Sequence, residues 1–463
     1  MSKNQEQTTR RRFLKDSTAS TAAVALGLNV IGAGATRAAR GANEKIRVGF
    51  IGVGNRGTQL LDGFLKQDDV EVAALCDAYE PYLMRDYSKV DKRLRDALGG
   101  RIPKMTENLG DNVTRYKDFR RLLDRKDIDA VVIAAPDHWH AIQAIMACQA
   151  GKDVYVEKPL SVTIHEGRKM VEAASRYKTV VQVGLHRRSS KEYMQVVKDV
   201  QAGKIGKVTV GRAYRISNMS PNGIGRCPDT TPPEGLDWDM WLGPRANRPY
   251  KDNLAFYKFR WWQSYSSQVA NWGVHYCDAM RWIVGQEAPV SISAHGGRFA
   301  IDDDRTIPDT MEVIFEMPSG ILLVFGQYEA SGGEALTEGE IELRGTLGNL
   351  NCGTEGSGFK IIPSRGGQFQ ETAPRIEPME GRKVDGDLTV QHIRNFCDCV
   401  KSRKQTNCDM ETGHRSTCFA LLANIALATK SRLEWDAKNE RFVDNKKANE
   451  LLHYKYRKPW KLG

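Results

Sequence analysis

Short runs of consecutive apolar residues alternate with longer stretches of helical spacing through the first half of the chain. Runs rich in β-branched residues predict strands that are buried on both faces, and apolar residues recurring every three or four positions predict helices. The predicted strands are IRVGFIG (46–52), VEVAALCD (70–77), DIDAVVIAAP (127–136), DVYVEKPL (153–160) and TVVQVGLHRR (179–188). Helical spacing follows in DHWHAIQAIMACQAG (137–151) and TIHEGRKMVEAASRYK (163–178). This alternation of strands and helices predicts a parallel sheet covered by helices.

The second half of the chain changes to a period of two. Apolar and polar residues alternate in KVTVGRAYRIS (207–217), ISAHGGRFAI (292–301), TMEVIFEM (310–317), ILLVFGQYEA (321–330) and EIELRGTLGNL (340–350). Turn residues separate these runs, which predicts a large, mostly antiparallel open sheet. We therefore predict an α/β Rossmann domain over residues 43–187, followed by an α+β substrate-binding and oligomerisation domain over 188–463.

The N-terminal residues carry a basic and then an apolar pattern. TRRRFLK (9–15) precedes a mild apolar run over 22–31 and small residues around 33–39. This order predicts a twin-arginine signal peptide over residues 1–42, with a cytoplasmic amphipathic helix as the alternative. We expect export to the periplasm through the twin-arginine translocase. No later apolar run approaches the roughly 18 residues of a membrane span.

Charge and cysteine content narrow the choice of partners. The formal charge is +11, but the predicted signal holds seven Lys/Arg and only two acidic residues. The remaining charge is too dilute to predict binding to nucleic acid. The nine cysteines form no CxxC pair and no zinc-like spacing, so we predict neither a metal site nor structural disulfides.

The first two predicted strands flank a dinucleotide-binding fingerprint. GVGNRG supplies the glycines of G-x-G-x-x-G directly after a strand, and an acid ends the next strand. The glycines permit a tight turn and close approach of the backbone to a pyrophosphate, and the acid accepts hydrogen bonds from a ribose. A plain turn is the alternative. Because a 2′-phosphate would meet this acid, we predict NAD rather than NADP, held first by Gly52, Gly54, Asn55, Arg56, Gly57 and Asp77.

The ends of the later strands carry further polar side chains. Parallel strands deliver functional residues at their carboxyl ends, so AAPDHWH, EKP and GLHRR are expected to converge near the cofactor. We assign Pro136, His138, His140, Glu157 and Lys158 to cofactor binding. His186 and Arg187 are assigned to substrate binding. For these two residues, and equally for His138 and His140, a packing role is the alternative.

These motifs, in this order, resemble the Gfo/Idh/MocA family of nicotinamide-dependent sugar and cyclitol oxidoreductases. GVGNRG, AAPDHWHA, VEKPL and GVHYCD carry the resemblance, which covers essentially the whole mature chain. LDWDMWLGP (236–244), the RW pair at 260–261 and NFCDCVKSRK (395–404) are similar to exported members. The resemblance implies a sugar or sugar-derivative substrate, a bound nicotinamide cofactor, and a homodimer or homotetramer.

The resemblance also implies catalytic roles. Lys158 matches the family lysine that reaches the substrate hydroxyl, and a strand-end lysine with a lowered pKa suits that task. The alternative is a surface salt bridge with Glu157. His275 matches the family's acid or base, with a structural histidine as the alternative, and Asp278 is expected to orient it or to bind substrate. Asn271 stands where many relatives carry an aspartate, and it binds hydroxyls but accepts no proton as a base.

Three functions follow from these predictions. The first is a carbohydrate oxidoreductase that retains NAD through export and closes its own redox cycle. The second is an NAD-dependent glycoside hydrolase that oxidises C3 transiently and eliminates the aglycone, a route that needs no paired carboxylates. The third is a sugar-binding relic of the fold, against which Lys158 and His275 argue.

Overall fold

The computed structural model of this chain describes residues 44–463 except 108, 110–111, 354–357 and 381–385. The predicted signal peptide lies outside the described residues. No helix among those described is both long and apolar enough to cross a membrane. All nine cysteines lie in the described part, each as a free thiol, and eight of them are buried.

The first sheet contains six parallel strands in the order β3-β2-β1-β4-β5-β6. Its strands are β1 (Ile46–Ile51), β2 (Val70–Cys76), β3 (Thr114–Tyr116), β4 (Ala130–Ile133), β5 (Asp153–Val156) and β6 (Val181–Val183). Residues of β1 and β4 are almost wholly buried, as their apolar runs predict. The order of the strands reverses between β1 and β4, which opens a crevice at the carboxyl ends of these strands.

Helices cover both faces of this sheet. They are α1 (Asn55–Leu65), α2 (Glu80–Met84), α3 (Lys92–Leu98), α4 (Phe119–Leu123), α5 (His140–Gln149) and α6 (Ile164–Tyr177). The next helix, α7 (Lys191–Gln201), packs in the core of the second sheet instead. Helix α6 begins with a reciprocal capping box between Thr163 and Glu166. The predicted helix at 137–151 instead opens with a 3₁₀ turn, Asp137–Trp139, before α5.

The second sheet contains ten strands, and the predicted fold class is confirmed. Strand β7 pairs in parallel with β10, and the other pairs are antiparallel. The strands are β7 (Val208–Ile216), β8 (Ser291–Gly297), β9 (Thr310–Glu316), β10 (Leu322–Tyr328), β11 (Ile341–Gly345), β12 (Gly348–Cys352), β13 (Phe359–Pro363), β14 (Met379–Glu380), β15 (Leu433–Asp436) and β16 (Arg441–Phe442).

The remaining helices connect the two sheets. They are α8 (Trp238–Leu242), α9 (Val274–Ile283), α10 (Leu388–Ser402), α11 (Met410–Thr429) and α12 (Lys446–Glu450), with a π-helical turn at Val269–Gly273 directly before α9. Helices α9 and α11 pack on one face of the second sheet. Helix α10 returns to the first sheet, where Phe396 meets Phe64 edge to face. Residues from both predicted domains therefore share the first core.

Candidate active site

A cleft of about 920 Å³ opens at the carboxyl ends of β1, β2 and β4. The glycine loop and strand ends form one wall, and a segment from the second half of the chain forms the other. Gly52, Gly54, Asn55, Arg56, Asp77 and Pro136 line the first wall, together with Tyr82 and Arg101. Six of the predicted cofactor-binding residues therefore meet in one place.

The three glycines of the fingerprint differ in what surrounds them. Gly52 has a φ of +88°, and a Cβ there would lie 2.6 Å from the backbone nitrogen of Ala135. A Cβ on Gly57 would lie 2.1 Å from the carbonyl oxygen of Gly52, so this glycine lets α1 pack against the turn. At Gly54 the nearest atom to a Cβ is 3.7 Å away, on Tyr82. The space beside Gly54 is therefore left open toward the cleft.

The residue between these glycines, Val53, is held at both of its backbone groups. Its N–H donates to the Asp77 carboxylate at 2.8 Å, and its carbonyl accepts from the Arg85 guanidinium at 2.8 Å. Arg85 is itself paired with Glu107 at 2.5 Å in a buried contact. The second oxygen of Asp77 accepts from the Tyr79 N–H at 2.9 Å. Burial raises the pKa of Asp77, although these N–H groups and Arg85 oppose the rise.

These features fit a dinucleotide. Helix α1 starts at Asn55 without a side-chain cap, so its first N–H groups are available to a phosphate. The open space at Gly54 lies where a pyrophosphate must approach the backbone. Asp77 retains lone pairs for ribose hydroxyls after its two backbone contacts. Gly52, Gly54, Asn55 and Asp77 are therefore the residues that would hold the cofactor.

Lys158 forms the polar centre beside this cleft. Its ammonium donates to the backbone oxygen of Asn271 at 2.9 Å and to the side-chain oxygen at 3.1 Å. Burial lowers the pKa of Lys158 to about 8, and Arg260 adds to the lowering while Glu157 opposes it. Asn271 lies in the π-helical turn before α9, a local irregularity that often marks a functional position. Lys158 is thus partly neutral near physiological pH.

Glu157 pairs with Arg56, whereas its neighbour Lys158 contacts Asn271. Its carboxylate accepts from the Nε of Arg56 at 2.7 Å and is almost fully buried. Burial alone would raise the pKa of Glu157, but the cations of Arg56 and Lys158 outweigh it, so the pKa lies below its usual range. A Cβ on Gly184 would lie 2.8 Å from this carboxylate. The predicted alternative, a surface salt bridge between Glu157 and Lys158, does not match this buried arrangement.

His275 and His186 stand together near Lys158. Their ring centroids are 5.3 Å apart, with His275 in the first turn of α9 and His186 just after β6. Burial, then the charges of Lys158 and His186, lower the pKa of His275 well below its ordinary value. His275 is therefore a neutral imidazole at physiological pH, able to accept a proton or a hydrogen bond.

Four predicted site residues have polar groups that bind other protein groups rather than facing the cleft: His138, His140, Arg187 and Asp278. His138 contacts the carbonyl of Trp241 at 2.9 Å, and burial lowers the pKa of His138 to about 3. His140 lies between the carbonyl oxygens of Pro159 and Ala135, at 2.7 and 2.9 Å. Both histidines thus hold the strand-end loops in place, and neither lines the cleft.

Arg187 and Asp278 are likewise buried in ion pairs. Arg187 pairs with Glu340, and Asp278 accepts a bidentate contact from Arg188 at 2.8 and 3.0 Å. The hydroxyl of Ser416 donates to the same Asp278 carboxylate at 2.5 Å. The spacing of three residues suggested that Asp278 contacts His275. In the structure Asp278 pairs with Arg188 instead. Its carboxylate links α9 to α11.

The opposite wall of the cleft comes from a segment that sequence analysis singled out only in part. The backbone of 235–237 pairs with 78–80, through bonds from Glu80 N–H to Gly235 and from Asp237 N–H to Ala78, each 2.9 Å. The side chains that line the wall are Met240, Trp241, Phe256, Tyr257, Phe259 and Arg260. LDWDMWLGP and the RW pair signalled this segment, but neither fixes its place over a distant strand end. We call residues 235–260 the roof segment.

A second cavity, of about 1490 Å³, opens at the end of the second sheet. Tyr214, Arg215, Tyr276, Glu340 and Asn351 are among its lining residues. The turn before α9 connects it with Lys158, since the ring of Trp272, next to Asn271, lies 3.9 Å beneath the Arg215 guanidinium. We call this the sheet-end cavity. Among the described residues, no group of three or more His, Cys, Asp or Glu side chains is arranged to hold a metal ion.

Two models of one oxidoreductase family match the chain, one in its first half and one mostly in its second half. Residues 93–185 match the Gfo/Idh/MocA description "Oxidoreductase family, NAD-binding Rossmann fold". Residues 190–329 and 361–462 match the description "Oxidoreductase family, C-terminal alpha/beta domain". The second match alone extends over more than half of the 463 residues.

Individual proteins extend this comparison. A glycosyl hydrolase family 109 protein of Shewanella sp. strain W3-18-1 is 32% identical over 176 residues, which are 38% of this chain and 36% of that protein. The match thus spans little more than a third of that relative. A levoglucosan dehydrogenase, in complex with NADH and levoglucosan, has a TM-score of 0.61 at 16% identity, over 84% of this chain and 99% of that chain. An aldose-aldose oxidoreductase from Caulobacter crescentus, complexed with glycerol, has a TM-score of 0.56 at 15% identity, over 84% and 100%. These structures show a shared fold.

Proposed function

The chain belongs to the Gfo/Idh/MocA family of NAD-binding oxidoreductases, and from this premise we propose that it oxidises a ring hydroxyl of a carbohydrate with a retained NAD. The observation that carries the proposal is the contact of the Lys158 ammonium with Asn271 beside the neutral His275. Lys158 follows the carboxyl end of β5, in the same parallel sheet whose strand ends carry the cofactor fingerprint. A non-catalytic sugar-binding protein would not require a buried, partly neutral lysine at this position.

The chemistry divides between the cofactor and the chain. A bound nicotinamide supplies a two-electron acceptor and donor next to the substrate carbon. The chain moves the proton: the neutral amine of Lys158 takes it from the reacting hydroxyl, and Asn271 fixes the direction of the amine. His275 accepts a hydrogen bond from a neighbouring hydroxyl or, in an elimination, takes the C2 proton that a ketone at C3 makes acidic.

NAD is the proposed form of the cofactor. Asp77 lies in the cleft wall with its carboxylate fixed by the N–H groups of Val53 and Tyr79. A 2′-phosphate would bring two negative charges close to it. Arg101 and Lys117 also line this end of the cleft, but Lys117 is paired with Glu80 at 2.7 Å. A measured Kd for NADP equal to or below that for NAD would contradict this choice.

Retention of the cofactor follows from the roof segment. It is bonded to the backbone next to Asp77, and Phe256 packs against Tyr79 and Tyr82 with ring centroids 5.0 and 5.4 Å apart. We therefore expect this wall to slow the release of a dinucleotide from the cleft. An enzyme that keeps its cofactor must also return the electrons, which favours a redox-neutral cycle in which a second sugar, or the same one, is reduced.

The sheet-end cavity is the proposed place for the carbohydrate. Tyr214 and Tyr276 offer aromatic surface, and Glu340 and Asn351 offer hydrogen-bonding oxygens, a combination that suits a sugar ring. Neighbours in fold support this substrate class, since one is a levoglucosan dehydrogenase and another an aldose-aldose oxidoreductase.

An oxidative glycoside hydrolase is the second candidate. The relative from Shewanella is named a glycosyl hydrolase family 109 protein. Among the described residues around Lys158 there is no pair of free carboxylates, because Glu157 is engaged by Arg56, Asp137 accepts a hydrogen bond from Ser266, and residue 271 is an asparagine. A route through C3 oxidation and elimination needs a base and an acid, which Lys158 and His275 provide.

The first experiment is purification without added nucleotide, followed by denaturation and identification of the released molecules by absorbance and mass. Stoichiometric NAD or NADH supports the proposal. Protein that is empty and also fails to bind added NAD contradicts it. Nitrophenyl glycosides then separate the two candidates: release of nitrophenol without net NADH supports the hydrolase, and conversion of free sugar pairs supports the oxidoreductase.

We further propose export to the periplasm by the twin-arginine route, which transports chains already folded around their cofactor. The support is the sequence pattern TRRRFLK and the apolar run after it. Replacing Arg10 and Arg11 by lysine is expected to leave the protein in the cytoplasm, as cell fractionation would show. Unchanged periplasmic recovery of this variant would contradict the proposal.

A homodimer or homotetramer is proposed for the assembled enzyme. The face of the second sheet away from α9 exposes apolar side chains, with Ile314 and Leu322 exposed by 42% and 39%. Light scattering coupled to size exclusion measures the mass directly, and a monomer at micromolar concentration would contradict this proposal.

A further inference from the structure

Arg260 contacts the same oxygen atom as Lys158. Its Nε donates to the side-chain oxygen of Asn271 at 3.3 Å, and the Lys158 ammonium donates to that oxygen at 3.1 Å. A neutral amide oxygen has two lone pairs and accepts both bonds, but it carries no charge to neutralise two cations. The two cations are therefore held close together by a neutral acceptor.

Arg260 is fixed in this position by its own surroundings. Its guanidinium donates to the carbonyl of Tyr257 at 3.0 Å and lies over the rings of Tyr257 and Phe259, at 4.3 and 4.6 Å from their centroids. The next residue, Trp261, is anchored by its indole N–H to the buried Glu329 carboxylate at 3.0 Å. Arg260 therefore does not swing away when Lys158 gains a proton.

We propose that Arg260 is a positioning residue for the reaction centre, which by sharing the Asn271 oxygen with Lys158 keeps a permanent cation beside the amine and favours its neutral form. An arginine remains charged at any physiological pH, so the proton is always lost from the lysine. The inference rests on the proposed function only for the role of Lys158.

The other groups facing Lys158 do not cancel this effect. The anions are Glu157, which is engaged by Arg56, and Asp137, which accepts a hydrogen bond from Ser266. Burial lowers the pKa of Lys158 most, Glu157 and Asp137 oppose the lowering, and Arg260 and Arg56 reinforce it. His275 is neutral and adds no charge at physiological pH. Of the two arginines that lower the pKa of Lys158, Arg260 is the one that shares the Asn271 side-chain oxygen with it.

The test measures Lys158 directly and needs no substrate. The intact protein is labelled with a trace of acetic anhydride between pH 6 and 10, and mass spectrometry of the peptide containing Lys158 gives the midpoint of its reactivity. The wild-type midpoint is expected near pH 8. In Arg260→Met and Arg260→Gln the midpoint is expected at higher pH, so that labelling at pH 7 falls by roughly 3- to 10-fold, since tenfold corresponds to one pH unit.

Two matched variants make the result decisive. Arg260→Lys keeps the charge, so its midpoint is expected to stay near that of the wild type. Arg101→Met removes another guanidinium over the Tyr257 ring, 4.8 Å from its centroid, and is expected to leave the midpoint unchanged. An unchanged midpoint in both Arg260→Met and Arg260→Gln overturns the inference. If Arg260→Lys shifts the midpoint as much as these neutral variants do, the charge of Arg260 is not the cause of the shift. Neither result bears on whether NAD binds, which the nucleotide analysis above decides.

Discussion

Lys158 is the residue on which the proposed chemistry depends most directly. Replacing it by methionine keeps the length and apolar stem of the side chain but removes the group that moves the proton. Turnover is expected to fall by roughly 10²- to 10⁴-fold. The matched control is Lys169→Met on α6, where the partly exposed lysine pairs with Glu172 at 2.8 Å. Normal turnover in Lys158→Met would remove this residue from the reaction.

The pH dependence of activity follows from the same side chain. The neutral amine becomes more abundant as the pH rises through about 8, so oxidation is expected to increase up to that point and then level off. In Asn271→Asp a carboxylate replaces the neutral acceptor and stabilises the ammonium. The rise is therefore expected at higher pH, with activity at pH 7 lower by roughly 3- to 10-fold. A profile that coincides with the wild type, measured over pH 6 to 10, would show that Lys158 does not set it.

Sequence patterns pointed to the residues of the proposed reaction centre, but not to the residues that contact them. A lysine at a strand end and a histidine on a helix are visible in EKP and GVHYCD, because each belongs to a short motif. The contact between Lys158 and Asn271 joins positions 113 residues apart, so no local pattern predicts it. Likewise, a spacing of three put Asp278 on the face of His275, but the pairing with Arg188 decides where that carboxylate lies.

The glycine loop and α1 offer a prediction that separates binding from folding. Ala at Gly54 meets no atom closer than 3.7 Å, whereas Ala at Gly57 meets a carbonyl oxygen at 2.1 Å. Gly54→Ala is expected to leave the free energy of unfolding within about 1 kcal/mol of the wild type while raising the Kd for NAD by roughly tenfold or more. Gly57→Ala is expected to destabilise the protein by about 1–3 kcal/mol. Calorimetry and denaturant unfolding check both, and an unaltered Kd in Gly54→Ala would contradict the placement of the phosphates.

Helix α11 carries a titratable contact that concerns stability alone. The His414 ring contacts the Glu440 carboxylate at 2.8 Å. Burial opposes a charge on His414, but Cys418 and Glu440 outweigh it and raise its pKa to about 9, above the 6.5 of a free imidazole. The stabilisation is therefore complete below pH 6.5 and is lost as the pH rises through about 9. Over that range the free energy of unfolding is expected to fall by about 1–3 kcal/mol.

Two variants isolate this contact. Glu440→Gln removes the charge that favours protonated His414, and the fall in stability between pH 6.5 and 9 is expected to shrink or vanish. His295→Gln, at an exposed position of β8, is expected to retain the wild-type slope. Denaturant unfolding at each pH gives the comparison, and a slope in Glu440→Gln identical to the wild type would rule out the pair as its source.

Elements were predicted most accurately where one local signal dominated. The strand predicted at 46–52 is Ile46–Ile51, and the helix predicted at 163–178 is α6, which its own capping box starts. The strand predicted at 127–136 covers only Ala130–Ile133 in the structure. At its carboxyl end the apolar run leads into Pro136 and a 3₁₀ turn, which end the strand early. A local turn, not the length of the apolar run, sets that boundary.

For the whole molecule, the sequence predicted two sheets but not how the chain passes between them. The return of α10 to the first sheet depends on Phe396 meeting Phe64, which lies more than three hundred residues earlier. The roof segment similarly depends on backbone pairing between 235–237 and 78–80. Such contacts leave no periodic trace, since each partner obeys only its own local pattern.

The roof segment makes retention of the cofactor a property of the whole molecule, and Phe256 tests it. This phenylalanine has a φ of 56°, unusual for a residue with a side chain, and its ring packs on Tyr79 and Tyr82 over the cleft. Phe256→Ala opens this wall without touching the glycine loop, so bound NAD is expected to dissociate roughly tenfold faster or more, since about 1.4 kcal/mol of lost packing suffices. Phe369→Ala, at a phenylalanine 90% exposed, is expected to release NAD as slowly as the wild type. Stopped-flow displacement measures both rates, and equal rates in the two variants would mean that the roof segment does not retain the cofactor.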